Sequence, residues 1–527
     1  MAALRGRSGE TGSPSGALLV AGTHSDAGKS LVTAGLCRWL KRQGVSVAPF
    51  KAQNMALNSV VARGGFEIGR AQAMQAAAAG IEPEVAMNPI LIKPSGVGHS
   101  QVIVMGKPYA DASATSYQGM KDELRPIVSE ALAQLQARYD VVVCEGAGSP
   151  AEINLRAADL VNMGLARQAG LPVVLVGDID RGGVFASLLG TVAALSPEDQ
   201  SHLAGYVINK FRGDASVLAP GLKMIEDLSG RPVFGVLPYV EDLHLDAEDS
   251  LAIERPRPDR ESDLAIGTLD IAVVRLRWMS NFTDLDALAR EPGVRVRFTR
   301  SPVDVERADL VVVPGTKATV EDLALLRASG LADALAKRNR RGDPILGICG
   351  GYQMLGESIL DDVESGAGEV HGLGLLPVST TFQDSKVLRN VTGHSALLGS
   401  DVGGYEIRHG RPRLIGFGGA PLITVDGSDE LEGCVVGATL GTSWHGLLEH
   451  DDARRALLRW VAAQKGSPFE PAPAISFAAE REAQLDRVGD LIEEHVDTAA
   501  ILRLLEAGAP LALPTIALEL RPPVVGD

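Results

Sequence analysis

The stretch 344–355, Pro-Ile-Leu-Gly-Ile-Cys-Gly-Gly-Tyr-Gln-Met-Leu, passes from a short apolar run through glycines around one cysteine to apolar residues at helical spacing. This pattern predicts a strand, a sharp turn and a helix. The glycines allow the tight turn, which places the Cys349 side chain at the end of the strand. A helix N-terminus favours the thiolate, which is the nucleophilic form. We therefore predict that Cys349 is a nucleophile; the alternative is a buried structural cysteine.

A thiolate nucleophile needs a base and an oxyanion hole, and two other segments can supply them. The apolar strand 311–313 is followed by Gly315, and in a parallel sheet its C-terminal end lies beside that of the cysteine strand. We expect the backbone N–H groups of Gly315 and Gly350 to form the oxyanion hole. His445 follows a short strand between glycines and is the predicted base; the alternative is a capped surface histidine.

The segment around Cys349, followed downstream by Trp-His-Gly at 444–446, resembles the class I glutamine amidotransferases of the triad type. The resemblance implies that the cysteine attacks the carboxamide of glutamine and releases ammonia, and that Gln353 helps to hold the glutamine. The common triad has Glu two residues after the histidine, where this chain has Leu447. Whether the nearby Glu449 takes its place stays open. The same absence is typical of the cobyrinate-amidating branch, whose members use a Cys-His pair.

A second motif lies near the start of the chain. Residues 16–22 predict a buried strand, 23–30 a loop that ends in Gly-Lys-Ser, and the residues from Leu31 to about Gly44 a helix. In such a loop the backbone N–H groups and the helix dipole hold phosphates, the lysine reaches the terminal phosphates and the serine binds Mg²⁺. The predicted ATP-binding residues of this loop are Gly22, Thr23, Ser25, Gly28, Lys29 and Ser30.

This loop has one residue too many for the Walker A pattern and instead resembles the dethiobiotin synthetase branch of P-loop proteins. The resemblance implies activation of a carboxylate by transfer of the γ-phosphate, and it implies that Asn209 contacts the adenine. The buried strand 141–144 ends at Glu145, the position of a Walker B-like carboxylate, so we predict that Ser30 and Glu145 hold Mg²⁺.

Further polar residues follow the strands of this sheet, where ligands of open α/β sheets bind. The alternatives are that those at 53, 54 and 58 form turns, and that those at 178, 180 and 181 pair with each other. Lys51 is a second candidate for contact with a phosphate or a carboxylate. The predicted substrate contacts are Lys51, Gln53, Asn54, Asn58, Glu152, Asn154, Asp178, Asp180 and Arg181.

The blocks at 145–155, 178–186 and 209–214, ahead of the amidotransferase motifs, resemble the cobyric acid synthase family from about residue 16 to about residue 500. The family usually has His where this chain has Arg408. The resemblance implies amidation of the b, d, e and g carboxylates of adenosylcobyrinic acid a,c-diamide, with one ATP and one glutamine for each amide.

Two other functions are considered. One is that of cobyrinic acid a,c-diamide synthase or a related amidoligase, which substrate trials would separate. The other is a ParA/MinD-like ATPase switch with a decayed amidotransferase domain, which predicts ATP hydrolysis tied to a partner or surface and no glutaminase. The presence of Cys349, Gln353 and His445 together argues against the second.

The predicted fold is α/β: a P-loop, dethiobiotin synthetase-like parallel-sheet domain followed by a flavodoxin-like class I glutamine amidotransferase domain. The charged, Pro-rich segment around 254–261 marks the boundary. The predicted divisions are a disordered N-terminus (1–15), the ATP-binding amidoligase domain (16–250), a linker (251–268), the amidotransferase domain (269–465) and a C-terminal helix and tail (466–527).

Composition excludes several classes of protein. The 527 residues carry a net charge of −16 without a long basic run, which argues against nucleic acid as a partner. No apolar run approaches the ~20 residues of a membrane helix, and the N-terminus lacks the apolar core of a signal peptide. Four scattered cysteines without pairing motifs suit a reducing cytoplasm. The oligomeric state stays undetermined.

Overall fold

The computed structural model describes residues 14–96, 98–243, 245, 267–416 and 418–517. We refer to residues 14–245 as the N-terminal half and to residues 267–465 as the C-terminal half. Nearly all of the predicted linker lies outside the described residues, as do most of the predicted disordered N-terminus and the last ten residues of the predicted tail. The division of the chain at those positions therefore stays a prediction.

The N-terminal half alternates strands and helices. Its elements are β1 (Gly16–Gly22), α1 (Lys29–Arg42), β2 (Val47–Phe50), β3 (Gln53–Met55), β4 (Ser59–Ala62), β5 (Phe66–Gly69), α2 (Arg70–Ala79), β6 (Ile90–Gly96), β7 (His99–Val104), β8 (Lys107–Ser113), α3 (Ala114–Gln136), β9 (Val141–Glu145), α4 (Met163–Ala169), β10 (Val173–Asp178), α5 (Val184–Ala193), α6 (Pro197–Gln200), β11 (Leu203–Phe211), α7 (Ala215–Ser229) and β12 (Val233–Pro238).

A parallel sheet with strand order β12–β11–β10–β1–β9–β2 forms the centre of this half. Its inner strands are runs of valine, leucine and isoleucine that are buried on both faces, as expected when helices cover both sides of a parallel sheet. The ends of β1, β9 and β10 therefore meet at one edge. Between β2 and β9 the chain adds a smaller sheet, β3–β6–β7–β8, and the hairpin β4–β5.

The C-terminal half is built in the same way. Its elements are β13 (Leu269–Val274), α8 (Asp286–Arg290), β14 (Val294–Thr299), α9 (Pro302–Arg307), β15 (Leu310–Val313), α10 (Thr319–Ala328), α11 (Leu331–Arg341), β16 (Ile345–Ile348), α12 (Gly350–Leu355), β17 (Ser358–Asp361), β18 (Gly368–His371), β19 (Val378–Ser395), β20 (Ser400–Leu414), β21 (Ile423–Val425), β22 (Leu431–Glu432), β23 (Cys434–Val436), β24 (Thr439–Thr442) and α13 (Asp451–Lys465).

The main sheet of this half has the order β14–β13–β15–β16–β24–β23, parallel except for the edge strand β23. This order brings the C-terminal ends of β15, β16 and β24 side by side. A second sheet, β18–β17–β19–β21–β22, carries β20 paired to β19. The pairing of β19 with β20 is interrupted between Phe382 and Val387, so the residues between them leave the ladder and project towards the N-terminal half.

The predicted C-terminal helical stretch forms two helices, α14 (Phe477–His495) and α15 (Thr498–Ala507). They are separated because Val496 is extended and Asp497 caps α15 by accepting a hydrogen bond from the Ala500 N–H at 2.9 Å. Helix α14 packs on α1, where Arg38 pairs with Asp486 at 2.8 Å. In the described part of the chain, no helix is long and apolar enough to span a membrane.

Candidate active sites

Cys349 lies in the turn between β16 and α12, as the sequence predicted. Its φ of 50° and ψ of −109° place a non-glycine residue in a strained conformation, which the surrounding packing must maintain. Gly351 contributes to that packing, because a Cβ there would lie 1.9 Å from the carbonyl oxygen of Val313. The side chain of Cys349 is almost fully buried and lines a cavity.

His445 lies in the same cavity and is held by a carboxylate. Its Nδ1 lies 2.7 Å from Oδ2 of Asp284, whose Oδ1 accepts a hydrogen bond from the Gly446 N–H at 2.8 Å. Burial alone would lower the pKa of His445, but the charges of Asp284 and Cys349 outweigh it and raise the pKa to about 10. The arrangement therefore favours an imidazolium beside the cysteine.

The sequence left open whether Glu449 takes the place of the triad glutamate. In the structure Glu449 does not contact His445. Its Oε1 lies 2.6 Å from a guanidinium nitrogen of Arg70, and its Oε2 lies 3.4 Å from one of Arg481. Glu449, in the C-terminal half, thus forms ion pairs with Arg70 in the N-terminal half and with Arg481 in α14. Asp284, which holds the histidine instead, was not predicted from the sequence to do so. A signal was available, because Asp284 lies in the segment that follows β13, a strand of the same sheet, within the 3₁₀ turn Phe282–Leu285.

The predicted oxyanion and glutamine-binding residues gather around Cys349. A Cβ on Gly315 would lie 3.0 Å from Cε1 of His445, and one on Gly350 would lie 3.0 Å from the backbone nitrogen of Thr316. Gln353 is buried and lines the cavity with Cys349. The structure brings these residues together, and their roles stay predictions.

The P-loop wraps around the start of α1, with Gly28 at a φ of 107° that favours glycine. The Lys29 ammonium donates hydrogen bonds to the carbonyl oxygens of His24 at 3.0 Å and Gly148 at 3.1 Å, so it lies across the loop where phosphates would bind. The Ser30 hydroxyl donates to Oε1 of Glu145 at 2.8 Å. The two predicted magnesium ligands are therefore neighbours.

These two residues suit Mg²⁺, which binds one or two protein oxygens and completes its shell with water and phosphate oxygens. A protein site built from three or more His, Cys, Asp or Glu side chains is absent from the residues that the structure describes. A magnesium ion here would accordingly depend on the nucleotide for much of its coordination.

Glu145 is completely buried, which alone would raise its pKa. The Lys51 ammonium at 2.9 Å, together with hydrogen bonds from Lys51, Gln75 and Ser30, instead holds the pKa of this carboxyl below its ordinary value. Glu145 is therefore ionised. Lys51, predicted to contact a phosphate or a carboxylate, contacts this carboxylate of the protein itself.

The residues predicted at the ends of β10 and β11 pair with one another around the P-loop. The Asn209 side chain donates to the carbonyl oxygen of Ala27 at 3.0 Å. Asp178 accepts a hydrogen bond from the Lys210 ammonium at 2.7 Å. The remaining charged pairs of this cluster are Arg181 with Asp178 at 3.7 Å, Arg181 with Asp26 at 3.3 Å, and Asp180 with Arg212 at 3.1 Å.

The other predicted substrate contacts fall into two groups. Gln53 accepts a hydrogen bond from the Tyr117 hydroxyl at 2.5 Å, Asn54 donates to Gln72 at 2.9 Å, and the backbone carbonyl of Asn58 accepts from the Arg70 N–H. Asn54 and Asn58 are buried, and Gln53 is half-buried. Glu152 and Asn154 are exposed on the loop that follows β9.

A buried cluster joins the two halves next to the Cys349 cavity. Glu67, which is fully buried, accepts hydrogen bonds from the Lys93 ammonium at 2.6 Å and from the Lys386 ammonium at 2.5 Å. Ser59 donates to Glu67 at 2.7 Å, and its backbone N–H donates to Oδ1 of Asn281 at 2.8 Å. Lys386 and Asn281 belong to the C-terminal half, and the cluster therefore crosses the interface.

Buried amides also lie on the side of the P-loop. Helix α2 carries Gln72 and Gln75, one turn apart; Gln72 contacts Asn54, and Gln75 donates to Glu145. All of these side chains are buried. Buried polar groups are thus present both in the cluster next to the cavity of Cys349 and beside the carboxylate that contacts Ser30.

Comparison with known proteins agrees with this pair of sites. A CobQ/CobB/MinD/ParA nucleotide binding domain matches residues 18–252, and a CobB/CobQ-like glutamine amidotransferase domain matches residues 270–453. The chain is 58% identical to the cobyric acid synthase of Streptomyces coelicolor over 95% of this chain and 98% of that protein. The chain belongs to the cobyric acid synthase family.

Other members of the cobyric acid synthase family show the same coverage. The protein from Streptomyces avermitilis is 57% identical and that from Rhodococcus jostii 56% identical, each over 95% of this chain and at least 98% of the relative. A solved glutamine amidotransferase aligns with 37% of this chain and 98% of its own at 24% identity, with a TM-score of 0.31. The predicted family, α/β fold and class of glutamine-hydrolysing amidating ligase are confirmed.

Proposed function

We propose that this chain converts adenosylcobyrinic acid a,c-diamide to adenosylcobyric acid by amidating its b, d, e and g carboxylates. Each amide would consume one ATP and one glutamine. The observation that carries this proposal is the presence, on one chain, of the Cys349–His445–Asp284 group and of the P-loop with Ser30 and Glu145. The family membership supports the choice of acceptor.

At the first site, the Cys349 thiolate attacks the carboxamide carbon of glutamine, and the oxyanion is held by the N–H groups of Gly315 and Gly350. His445 gives its proton to the leaving ammonia, so that a thioester and neutral NH₃ form. Water then attacks the thioester with His445 as base, and glutamate leaves. Asp284 keeps the imidazole oriented and stabilises its charge.

At the second site, a corrinoid carboxylate attacks the γ-phosphorus of ATP, ADP leaves and an acyl phosphate forms. Ammonia then displaces the phosphate to give the amide. Lys29 stabilises the charge on the transferred group. Ser30 and Glu145 would hold Mg²⁺, which neutralises phosphate charge when bound. Lys51 keeps Glu145 ionised for that purpose.

Ammonia must pass from one site to the other before it reaches bulk water and is protonated. The buried polar groups of Ser59, Gln72 and Gln75 support a route through the interior, because hydroxyl and amide groups can donate to and accept from NH₃. We also propose a cytoplasmic location, which is supported by the four cysteines, all of them free.

The test is the mass of the product formed from adenosylcobyrinic acid a,c-diamide with ATP, Mg²⁺ and glutamine. We expect a stepwise fall in mass as each OH becomes NH₂, ending at four amides. The Cys349→Ala variant should lose this activity with glutamine and keep it with ammonium chloride. Glutamate release without any change of the corrinoid would contradict the proposed acceptor.

A further inference from the structure

A polar cavity of about 260 Å³ lies between the two halves. On one side it is lined by Gln101 and Asp111 of the N-terminal half, and on the other by Lys317, Glu364 and His409 of the C-terminal half. The last three also line the cavity that contains Cys349. The two cavities are therefore adjacent, and these three side chains stand between them.

The wall from the N-terminal half is a row of polar side chains across neighbouring strands. Lys93 on β6 is paired with Gln101 on β7, and Gln101 is paired with Asp111 on β8. Residues paired in this way point to the same face of a sheet. Lys93 lines the cavity of Cys349, and the other two line the adjoining one. One face of the smaller sheet thus closes both cavities.

Two atoms of this cavity lining are buried without a hydrogen-bond partner in the described structure, Oε1 of Gln101 and Nε2 of His409. The two residues are 8% and 6% exposed. A buried polar atom without a hydrogen bond is unfavourable, so a bound ligand or water is expected to supply the partner.

Both atoms are hydrogen-bond acceptors. Nδ1 of His409 lies 2.9 Å from the carbonyl oxygen of Gln383, which can only accept, and therefore Nδ1 carries the proton. Burial lowers the pKa of His409, so the ring is neutral at neutral pH and its Nε2 accepts. The Gln101 oxygen accepts as well. The ligand must therefore bring donors.

Two oppositely charged side chains also lie between the two cavities. The Lys317 ammonium and the Glu364 carboxylate form an ion pair there. A cation and an anion side by side are complementary to the carboxylate and the ammonium of an α-amino acid. An amino acid with its side chain directed at Cys349 would place its α-groups at this position.

We propose that glutamine binds with its carboxamide at Cys349 and its α-ammonium against Gln101 Oε1, His409 Nε2 and the Glu364 carboxylate, with its α-carboxylate on Lys317. The ammonium has three N–H donors for these three acceptors. The N-terminal half then supplies part of the glutamine site, and glutamine hydrolysis requires the two halves to be docked. This inference rests on the proposed function only in taking glutamine as the nitrogen donor.

The experiment measures glutamate release by the full chain with L-glutamine and with N-acetyl-L-glutamine, which lacks the α-ammonium. We expect the unmodified protein to reject the acetylated compound. Gln101→Leu should raise KM for glutamine about tenfold, the factor that 1.4 kcal/mol represents, with a smaller change in kcat, and should reduce the discrimination. Gln101→Glu, which keeps an acceptor, should preserve it. Gln136→Leu, on the exposed end of α3, is the matched control.

If the unmodified protein hydrolysed L-glutamine and N-acetyl-L-glutamine equally well, the proposal would be overturned, and no variant would be needed to show it. An unchanged KM for glutamine in both Gln101→Leu and His409→Leu would also overturn it when thermal unfolding shows that they are folded. Amidation driven by ammonium chloride is measured in parallel. If the unmodified protein showed no amidation with ammonium chloride, the proposed acceptor would be contradicted. The measurements of glutamate release would still test the proposed glutamine site.

Discussion

The carboxylate of Asp284 lies 2.7 Å from Nδ1 of His445, although 161 positions of sequence separate the two residues. The same carboxylate binds the N–H of Gly446 and so holds both the ring and the backbone beside it. The position that Glu occupies in the common triad, two residues after the histidine, is filled by Leu447. An acid from the 3₁₀ turn Phe282–Leu285 makes the contact with the imidazole instead.

Asp284→Asn should reduce glutamine-dependent turnover by roughly 100-fold or more, because the neutral amide neither stabilises the imidazolium nor fixes its tautomer. Amidation with ammonium chloride should be retained. Glu449→Gln tests the rival assignment, since Glu449 contacts Arg70 rather than the histidine. A larger loss of kcat for glutamate release in Glu449→Gln than in Asp284→Asn would contradict the structure.

The interaction of His445 with Asp284 should make stability depend on pH. The folded pKa is raised from 6.5 to about 10, so the stabilisation is fully present below pH 6.5 and is lost as pH rises towards 10. The free energies of unfolding in urea of the unmodified protein and of Asp284→Asn should differ most at pH 6.5 and below, and should converge near pH 10. If the difference in the free energy of unfolding instead grew as pH rises, the predicted direction of the pH dependence would be wrong.

Lys51→Met should destabilise the protein by about 3–5 kcal/mol, because it leaves the buried Glu145 without its cation. Removing both charges in Lys51→Met/Glu145→Gln should restore much of the stability, while ATP-dependent amidation stays lost. Lys223→Met, on the exposed surface, is the control. Chemical unfolding measures the first effect, and the prediction fails if the double variant is no more stable than Lys51→Met.

Glu67→Gln should uncouple the two reactions. It leaves the ammonium groups of Lys93 and Lys386 without their shared carboxylate at the interface between the halves. Burial lowers the pKa of Lys386 to about 8 even with Glu67 attracting it, and the variant should lower it further. We expect more glutamate released per amide formed than in the unmodified protein. Glu130→Gln, on the exposed face of α3, should leave that ratio unchanged.

Replacing two helical glycines by alanine should change the stability of the protein in opposite directions. A Cβ on Gly35 of α1 would lie 2.6 Å from Ile492 and 2.9 Å from the Val488 carbonyl oxygen on α14, so Gly35→Ala should destabilise by about 1–3 kcal/mol. A Cβ on Gly119 of α3 meets no described atom within 4 Å. Gly119→Ala should therefore stabilise by about 0.5–1 kcal/mol. Equal effects on the melting temperature would refute the docking of α14 on α1.

The local units that carry the chemistry follow from the residues within them. The apolar run, the glycines and the helical spacing around Cys349 specify a strand, a turn and a helix, and the loop ending at Ser30 does the same at the other site. These features lie within a few residues of one another, and backbone sterics and side-chain periodicity act over that range. Family motifs in the same segments then indicated the reaction.

Which distant groups meet depends on the three-dimensional fold. Asp284 with His445, Lys51 with Glu145 and Glu67 with Lys386 depend on strand order and on how the two halves pack. Two of these contacts join a 3₁₀ turn, a hairpin and an interrupted β-ladder to groups far away in the sequence. No local pattern records them, because an acidic or basic residue in such a segment carries no information about its distant partner. That is why Glu449, close in sequence, lies at the interface, and Asp284, far away in sequence, lies at the histidine.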